Sequence, residues 1–153
     1  YPPKLLGRTI AILIDEGSDA KTVKALRNAI EKTGAAVKIV APKIDGVRLS
    51  DGKPIPVDGQ LAGTPSVLFD AVALVLSPAS AKTLGKEAAA IDFVRDAFGH
   101  LKTIAVDDGA RALLKAAGIA EDRGVLAAAD AAGFLKSAGA RLWSREPKLR
   151  TLP

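Results

Sequence analysis

The chain has 153 residues, and none of them is cysteine or methionine. The absence of cysteine excludes disulfide bonds, thiolate metal sites and a thiol nucleophile. Aromatic residues make up only 4% of the chain, which argues against extensive stacking on nucleic acid bases. No uninterrupted apolar run reaches the ~18 residues that a membrane-spanning helix needs. We therefore predict that the chain binds neither nucleic acid nor a membrane.

Hydrophobic residues account for 48% of the chain and charged residues for 25%, which is typical of one globular domain. The net charge of +5 is dispersed, apart from a basic cluster formed by Arg141, Arg145, Lys148 and Arg150. A solvated tail explains this cluster better than a nucleic acid site, because no groove-reading element accompanies it. The chain begins Tyr-Pro-Pro without methionine, so we expect a piece of a larger protein. We also expect a cytoplasmic location. We predict a linker over 1–6, a domain over 7–143 and a tail over 144–153.

Short apolar runs rich in branched residues alternate with segments of helical periodicity. The runs predict strands at 8–14, 36–41, 71–76, 102–106 and 124–127. Helices are predicted at 18–33, at 80–99 with a division near Gly85, at 110–117 and at 130–139. The arms 47–49 and 55–57 flank a Ser-Asp-Gly turn and predict a β-hairpin. This order predicts an α/β fold, a flavodoxin-like doubly wound parallel sheet with an inserted β-hairpin.

Ligands of such folds bind beyond the carboxyl ends of the strands. The polar residues expected at that edge are Asp15, Glu16, Ser77, Asp107 and Asp108. Asp107 is the most informative of them, because strand, turn and helix meet there in an elbow of the kind that presents a nucleophile in acyl-transfer enzymes. A general base is missing, since the sole histidine, His100, precedes the same strand and is roughly 20 Å away.

Three other chemistries could in principle use this edge of the sheet. Phosphate binding at the first turn is disfavoured because residues 15–19 carry three carboxylates. A receiver-type phosphoacceptor would need an aspartate after the third strand, where Ser77 stands instead. A divalent cation could be held by carboxylate oxygens, but capping and turn roles account for the same residues.

Three segments carry a resemblance to a known family. They are GRTIAIL at 7–13, DGKPIPVD at 51–58 and TPSVLFDAV at 64–72. With them, nearly all of 7–143 resembles the C-terminal flavodoxin-like domain of large-subunit haem catalases. That domain is similar in turn to PfpI-type proteins of the class I glutamine amidotransferase-like superfamily. PfpI-type enzymes use a cysteine at the elbow, where this chain has Asp107, and a supporting glutamate that has no counterpart at Lys21 or Thr22.

The resemblance implies a non-catalytic accessory domain without a cofactor or metal of its own, with the haem held in the parent catalase core. It also implies contacts with that core and with neighbouring catalase subunits, a contribution to oligomer stability, and chaperone-like protection of unfolded client proteins. One alternative is a stand-alone PfpI-like hydrolase or a metal-dependent enzyme that uses the acidic residues. Another is an unrelated binder of a small ligand. We expect exposed apolar side chains near an unpaired sheet edge to contact clients or the core: Val47, Leu49, Ile55, Val57, Leu61 and Trp143.

Overall fold

A computed structural model describes residues 5–139. Six parallel strands form one sheet in the order β5-β2-β1-β6-β7-β8, and a separate two-stranded hairpin contains β3 and β4. The strands are β1 (Thr9–Leu13), β2 (Ala36–Ala41), β3 (Val47–Arg48), β4 (Pro54–Ile55), β5 (Gly59–Gln60), β6 (Ala71–Leu74), β7 (Thr103–Val106) and β8 (Val125–Ala127). The helices are α1 (Ala20–Lys32), α2 (Pro78–Leu84), α3 (Ala88–Gly99), α4 (Arg111–Ala116) and α5 (Ala131–Ala138).

Apart from the two-residue strand β5, the strands lie in the order β2-β1-β6-β7-β8. This is the strand order of flavodoxin-like sheets, in which the second strand along the chain lies at the edge beside the first. The predicted fold class is therefore confirmed, and so is the inserted hairpin, in which β3 and β4 pair antiparallel. The predicted helix at 80–99 is two helices, α2 and α3, which are separated near Gly85 as expected. The sequence interpretation missed β5 and two short 3-10 turns, Leu61–Gly63 and Ser66–Leu68.

The central strands are buried on both faces, which explains their nearly continuous apolar sequences. Side chains alternate between two clusters, with Ala11 and Leu13 on one face of β1 and Ile10 and Ile12 on the other. The first cluster packs against α2, α3 and α4, and the second against α1, α5 and the hairpin. Helices therefore cover both faces of the sheet.

Local sequence explains where the helices begin. The side chain of Asp19 accepts a hydrogen bond from the backbone of Thr22 and caps α1. Ser77 caps α2 in the same way and is followed by proline at the first helical position. Asp130 caps α5 through the amide of Gly133. Each cap lies just beyond the carboxyl end of a strand, so the sheet and the helix starts are fixed together.

Leu5, within the segment predicted as a linker, is 3% exposed and packs in the second cluster. Its carbonyl accepts a hydrogen bond from the amide of Arg8 at the entry to β1. None of the helices within residues 5–139 is long and apolar enough to cross a bilayer. The predicted tail and Trp143 lie outside the described residues.

Candidate functional site

The carboxyl edge of the sheet brings the predicted polar residues into one region. Asp15 and Glu16 follow β1, Ser77 follows β6, and Asp107 and Asp108 follow β7. These three strands are adjacent and parallel, so the residues after them share one edge. A Cβ atom added at Gly17 would lie 4.0 Å from the Cβ of Ser77, which shows how closely the first turn approaches the turn after β6.

Asp107 is partly buried, and its carboxylate accepts hydrogen bonds from two backbone amides. Its Oδ1 is 3.2 Å from the nitrogen of Leu76 and 2.9 Å from the nitrogen of Ala110. Burial raises the pKa of the Asp107 carboxyl, the two amides oppose that rise, and the negative charge of Asp19 adds to it. The carboxylate therefore ties the end of β6 to the start of α4.

The elbow is tight because the chain approaches the neighbouring strand end at Gly109. A Cβ atom at this position would lie 2.0 Å from the carbonyl oxygen of Leu76. The backbone of Asp107 is not in the left-handed region, since Leu101 is the single non-glycine residue with positive φ among residues 5–139. The turn thus directs the carboxylate inward to backbone amides, and the strained geometry typical of a nucleophile elbow is not adopted.

The remaining carboxylates at this edge also have structural partners. Glu16 Oε2 accepts a hydrogen bond from the amide of Arg48 in the hairpin, at 3.2 Å. Asp15 Oδ1 accepts one from the amide of Glu16 at 2.8 Å. The fully exposed Asp108 pairs with Arg111, which also pairs with Glu121. Within residues 5–139, no group of three or more His, Cys, Asp or Glu side chains is arranged to hold a metal ion.

His100 lies at the opposite edge of the sheet. It is exposed, ends α3, and donates its backbone amide to the carbonyl of Asp96. It precedes β7, whereas Asp107 follows that strand. His100 therefore lies at the C-terminus of α3, and Asp107 is left without an imidazole base.

The hairpin residues predicted to be exposed are buried, so that expectation is wrong. Val47, Leu49 and Ile55 are 3%, 6% and 9% exposed, and Val57 is partly buried against the same cluster. Leu61 is 4% exposed and belongs to the first cluster. The expected unpaired edge is also wrong at the carboxyl end of β2, because β5 pairs with it there.

The apolar side chains of the hairpin are buried because the hairpin is hydrogen-bonded to the turn that follows β1. Gly17 donates its amide to the carbonyl of Arg48, and Ser50 donates its amide to the carbonyl of Ser18. The amide of Ala20, at the start of α1, is bonded to the hydroxyl of Ser50 at 2.9 Å. These contacts hold the hairpin over the start of α1 and cover its apolar side chains.

The sequence analysis assigns no role to Ser18. Ser18 is completely buried, and its hydroxyl donates to the carbonyl of Val75 and accepts from the amide of Asp15. The hydroxyl therefore joins the ends of two adjacent strands. No local pattern reveals this role, because Val75 is 57 residues away in the sequence.

Residues 6–145 match the family model of the C-terminal domain found in long catalases. The chain belongs to this family. It is 44% identical over 155 residues to Catalase C of Rhizobium meliloti, covering 97% of this chain and 22% of that protein. It is 32% identical over 151 residues to Catalase HPII of Pseudomonas putida, covering 96% of this chain and 21% of that protein. This catalase C-terminal domain thus spans about a fifth of the length of these relatives.

Solved structures of the DJ-1, ThiJ and PfpI group share the fold of this catalase C-terminal domain. A DJ-1 superfamily protein from Salmonella typhimurium superposes with a TM-score of 0.72 at 20% identity, covering 94% of each chain. A ThiJ/PfpI domain protein from Brachyspira murdochii gives a TM-score of 0.67 at 17% identity, covering 91% of this chain and 80% of that one. At these identities the likeness concerns the fold alone.

Because catalases are haem enzymes, the side chains of this chain can be compared with those that bind haem iron. Axial haem ligands are His, Cys, Met or Tyr side chains. The chain has no Cys or Met, its one Tyr is Tyr1, and its one His ends α3 at the surface. Within residues 5–139, the one side chain of an axial-ligand type is therefore that of the exposed His100.

Proposed function

We propose that this chain is a non-catalytic accessory domain of a large-subunit catalase. The parent enzyme would decompose hydrogen peroxide on a haem held in its core, and this domain would contribute to the stability of the oligomer. The proposal rests on the hydrogen bonds that the carboxylate of Asp107 accepts. Its carboxylate, at the position where PfpI-type enzymes use cysteine, is bonded to the amides of Leu76 and Ala110.

A nucleophilic carboxylate would need an open face and a base or metal to assist the reaction. Asp107 is partly buried and its Oδ1 is engaged twice. The same group stabilises the meeting point of β6, β7 and α4, which gives it a structural role that requires no substrate. This supports a scaffold that retains the superfamily fold without its thiol chemistry.

The first experiment compares a full-length parent catalase that contains this domain with the same protein lacking it. We expect equal peroxide turnover per haem at moderate temperature, and faster heat inactivation and subunit dissociation after deletion. Size-exclusion chromatography on heated samples distinguishes subunit dissociation from inactivation of an intact oligomer. Loss of turnover per haem in an intact oligomer would contradict an accessory role.

The second experiment assays the isolated 153-residue chain for catalase, peptidase and glyoxalase activity. We expect none above background, because the elbow has neither thiol nor base. Asp107→Asn and the surface change Asp45→Asn form a matched pair of variants. Turnover that disappears only in the Asp107 variant would establish an active site there. Haemin titration completes the test, and a stoichiometric Soret band would oppose the proposal that the domain has no cofactor.

The proposed partners are the catalase core and neighbouring catalase subunits, and the proposed location is the cytoplasm, testable by cell fractionation. Because the hairpin side chains are buried, contacts would use other apolar residues. Within residues 5–139 the large exposed apolar side chains are Leu6, Ile44, Val67 and Leu68. Burial of such side chains against another protein surface is favourable by about 25 cal/mol per Å².

We also propose that the domain protects unfolded client proteins from aggregation, as a chaperone does. Light scattering of a heat-stressed client protein, with and without a several-fold molar excess of this chain, tests it. Suppressed aggregation supports the role, and unchanged aggregation rejects it. Ile44→Ser and Val67→Ser remove exposed apolar surface without touching the core, so they report whether a protective surface lies on the folded domain. Protection that needs Val47 or Leu49 would require the hairpin to open first.

A further inference from the structure

A groove lies between the first 3-10 turn, Leu61–Gly63, and helix α3. It has a volume of about 380 Å³, and its apolar lining includes Pro65, Ala89 and Phe93. The ring of Phe93 contacts that of Phe69, with the two centroids 6.5 Å apart. Both rings belong to the first apolar cluster, so the floor of this α3 groove is held in a fixed shape.

Two acidic side chains also line the α3 groove. Asp92 and Asp96 are exposed and lie one helical turn apart on α3. Neither forms an ion pair with another of residues 5–139. Their carboxylates give the groove a negative potential next to apolar surface, which favours an occupant that has both a positive charge and an apolar side chain.

The loop that follows β2 has this combination of side chains. Lys43 and Ile44 are consecutive and exposed, and Ile44 remains 50% exposed although its side chain is large and apolar. Lys43 forms no ion pair with another of residues 5–139. The next residue, Asp45, lines a different cavity beside the hairpin. The loop therefore presents one basic and one apolar side chain to solvent.

The loop and the groove begin side by side at one edge of the sheet. β2 and β5 are parallel neighbours in which Ala41 pairs with Gln60. The loop follows Ala41 and the 3-10 turn follows Gln60, so both start at the carboxyl end of the same strand pair. β5 is the outermost strand of the sheet within residues 5–139. In one copy Ile44 stays exposed and the groove stays open, so the two complementary surfaces do not meet.

A second copy of the chain matches both surfaces at once. A contact with two-fold symmetry is reciprocal, so two different patches on one copy each meet the other patch on its partner. A two-fold axis between the loop and the groove would place Ile44 of each copy against the apolar lining of the other groove. Lys43 of each copy would then lie beside Asp92 and Asp96 of the other. The contact removes exposed apolar surface from water and pairs charges that have no ion-pair partner in one copy.

We propose that two copies of this chain associate at the β5 edge of the sheet, with Lys43 and Ile44 of each copy in the α3 groove of the other. The role of this contact in the cell rests on the proposed function, because neighbouring subunits of a parent catalase would bring two such domains together. A small contact suffices there, since tethered domains have a high effective concentration. For the isolated chain we expect a weak, reversible dimer that added salt weakens further.

Sedimentation equilibrium of the 153-residue chain over a wide range of concentration measures the association. We expect a monomer–dimer equilibrium. Lys43→Glu should lower the association constant about tenfold, because two attractive contacts per dimer become repulsive. Asp92→Lys combined with Asp96→Lys should lower it at least as much, and Ile44→Ser should also weaken the dimer.

An equimolar mixture of the two charge variants tests the reciprocal arrangement. In a mixed dimer, the Lys43→Glu copy presents a carboxylate to the reversed groove, and the other copy presents its unmodified Lys43 to an unmodified groove. Both contacts are then attractive, so the mixture should associate as the unmodified chain does although each variant alone associates weakly. Association that is not restored in the mixture overturns the proposal.

Matched controls change charge and apolar surface elsewhere. Lys21→Glu and Glu31→Lys alter exposed positions on α1, and Leu6→Ser removes an exposed apolar side chain. Circular dichroism verifies that every variant is folded. Unchanged association in the controls supports the proposal. A chain that is monomeric at every concentration overturns it, and so does a dimer that the loop and groove variants leave unchanged. These measurements use the isolated chain, so a negative result leaves the deletion experiment on the parent catalase as a separate test of the proposed function.

Discussion

Gly109 is the position at which one added methyl group should damage the fold most. In the structure a Cβ atom there would be 2.0 Å from the carbonyl oxygen of Leu76, 3.1 Å from its carbonyl carbon and 3.1 Å from the nitrogen of Pro78. All three are backbone atoms of the segment from Leu76 to Pro78, which joins β6 to α2. Relief would therefore require the end of a central strand to move by about 1 Å, and no side chain can rotate away instead.

Overpacking a rigid site costs about 1–3 kcal/mol, and a backbone collision belongs at the upper end of that range. We expect Gly109→Ala to lower the free energy of unfolding by about 3 kcal/mol, which is a fall in Tm of roughly 10 °C for a domain of this size. Urea unfolding followed by circular dichroism, together with calorimetry, measures both quantities.

Gly99→Ala is the matched control. Gly99 ends α3 and an added Cβ atom has no neighbour within 4 Å. Alanine should therefore stabilise the chain by about 0.5–1 kcal/mol. If Gly109→Ala changed stability by less than about 0.5 kcal/mol, as ordinary surface substitutions do, the close approach at the elbow would be refuted.

Three further substitutions test individual polar groups. Because burial raises the pKa of Asp107, the folded state binds that proton more tightly than the unfolded state. The stability of the unmodified chain relative to Asp107→Asn should therefore be greatest below about pH 4 and should decrease as the pH rises through the raised pKa of Asp107. Urea titrations across pH 3–8 that gave a constant difference in the free energy of unfolding between the two proteins would contradict this. Ser18→Ala should cost about 1–3 kcal/mol in the same assay, because the carbonyl of Val75 loses a buried donor. Asp19→Ala should cost about 1 kcal/mol through loss of the helix cap. The bonds from Thr22 lower the pKa of Asp19, so that cost should be retained at neutral pH and disappear as the carboxylate protonates in acid.

The regular elements could be predicted because their signals are local. The apolar run at 71–76 and the periodicity at 88–99 each specify an element within one segment, and the structure places a strand and a helix there. Strand β5 could not be predicted in this way. It consists of Gly59 and Gln60, and it exists because those residues pair with Val40 and Ala41.

The sequence predicts which edge of the sheet holds the site residues, but it does not predict the directions of their side chains. Parallel strands bring Asp107 to the edge that also contains Glu16 and Ser77, and this follows from the order of elements. The direction of the Asp107 carboxylate depends on the amide of Leu76, 31 residues away. The burial of Val47 likewise depends on hydrogen bonds between the hairpin and the first turn, which no local pattern reveals.

The proximity of Gly139 to Leu5 has a consequence for how such a unit can be joined to other sequences. The two ends of the described chain meet at one side of the sheet, so a host polypeptide could enter and leave there without threading through the fold. Domains with neighbouring ends tolerate insertion and circular permutation. A permuted gene that links Gly139 to Leu5 and opens within the hairpin turn at Asp51 should therefore still encode the same sheet, and a recombination event could transfer the unit as a cassette.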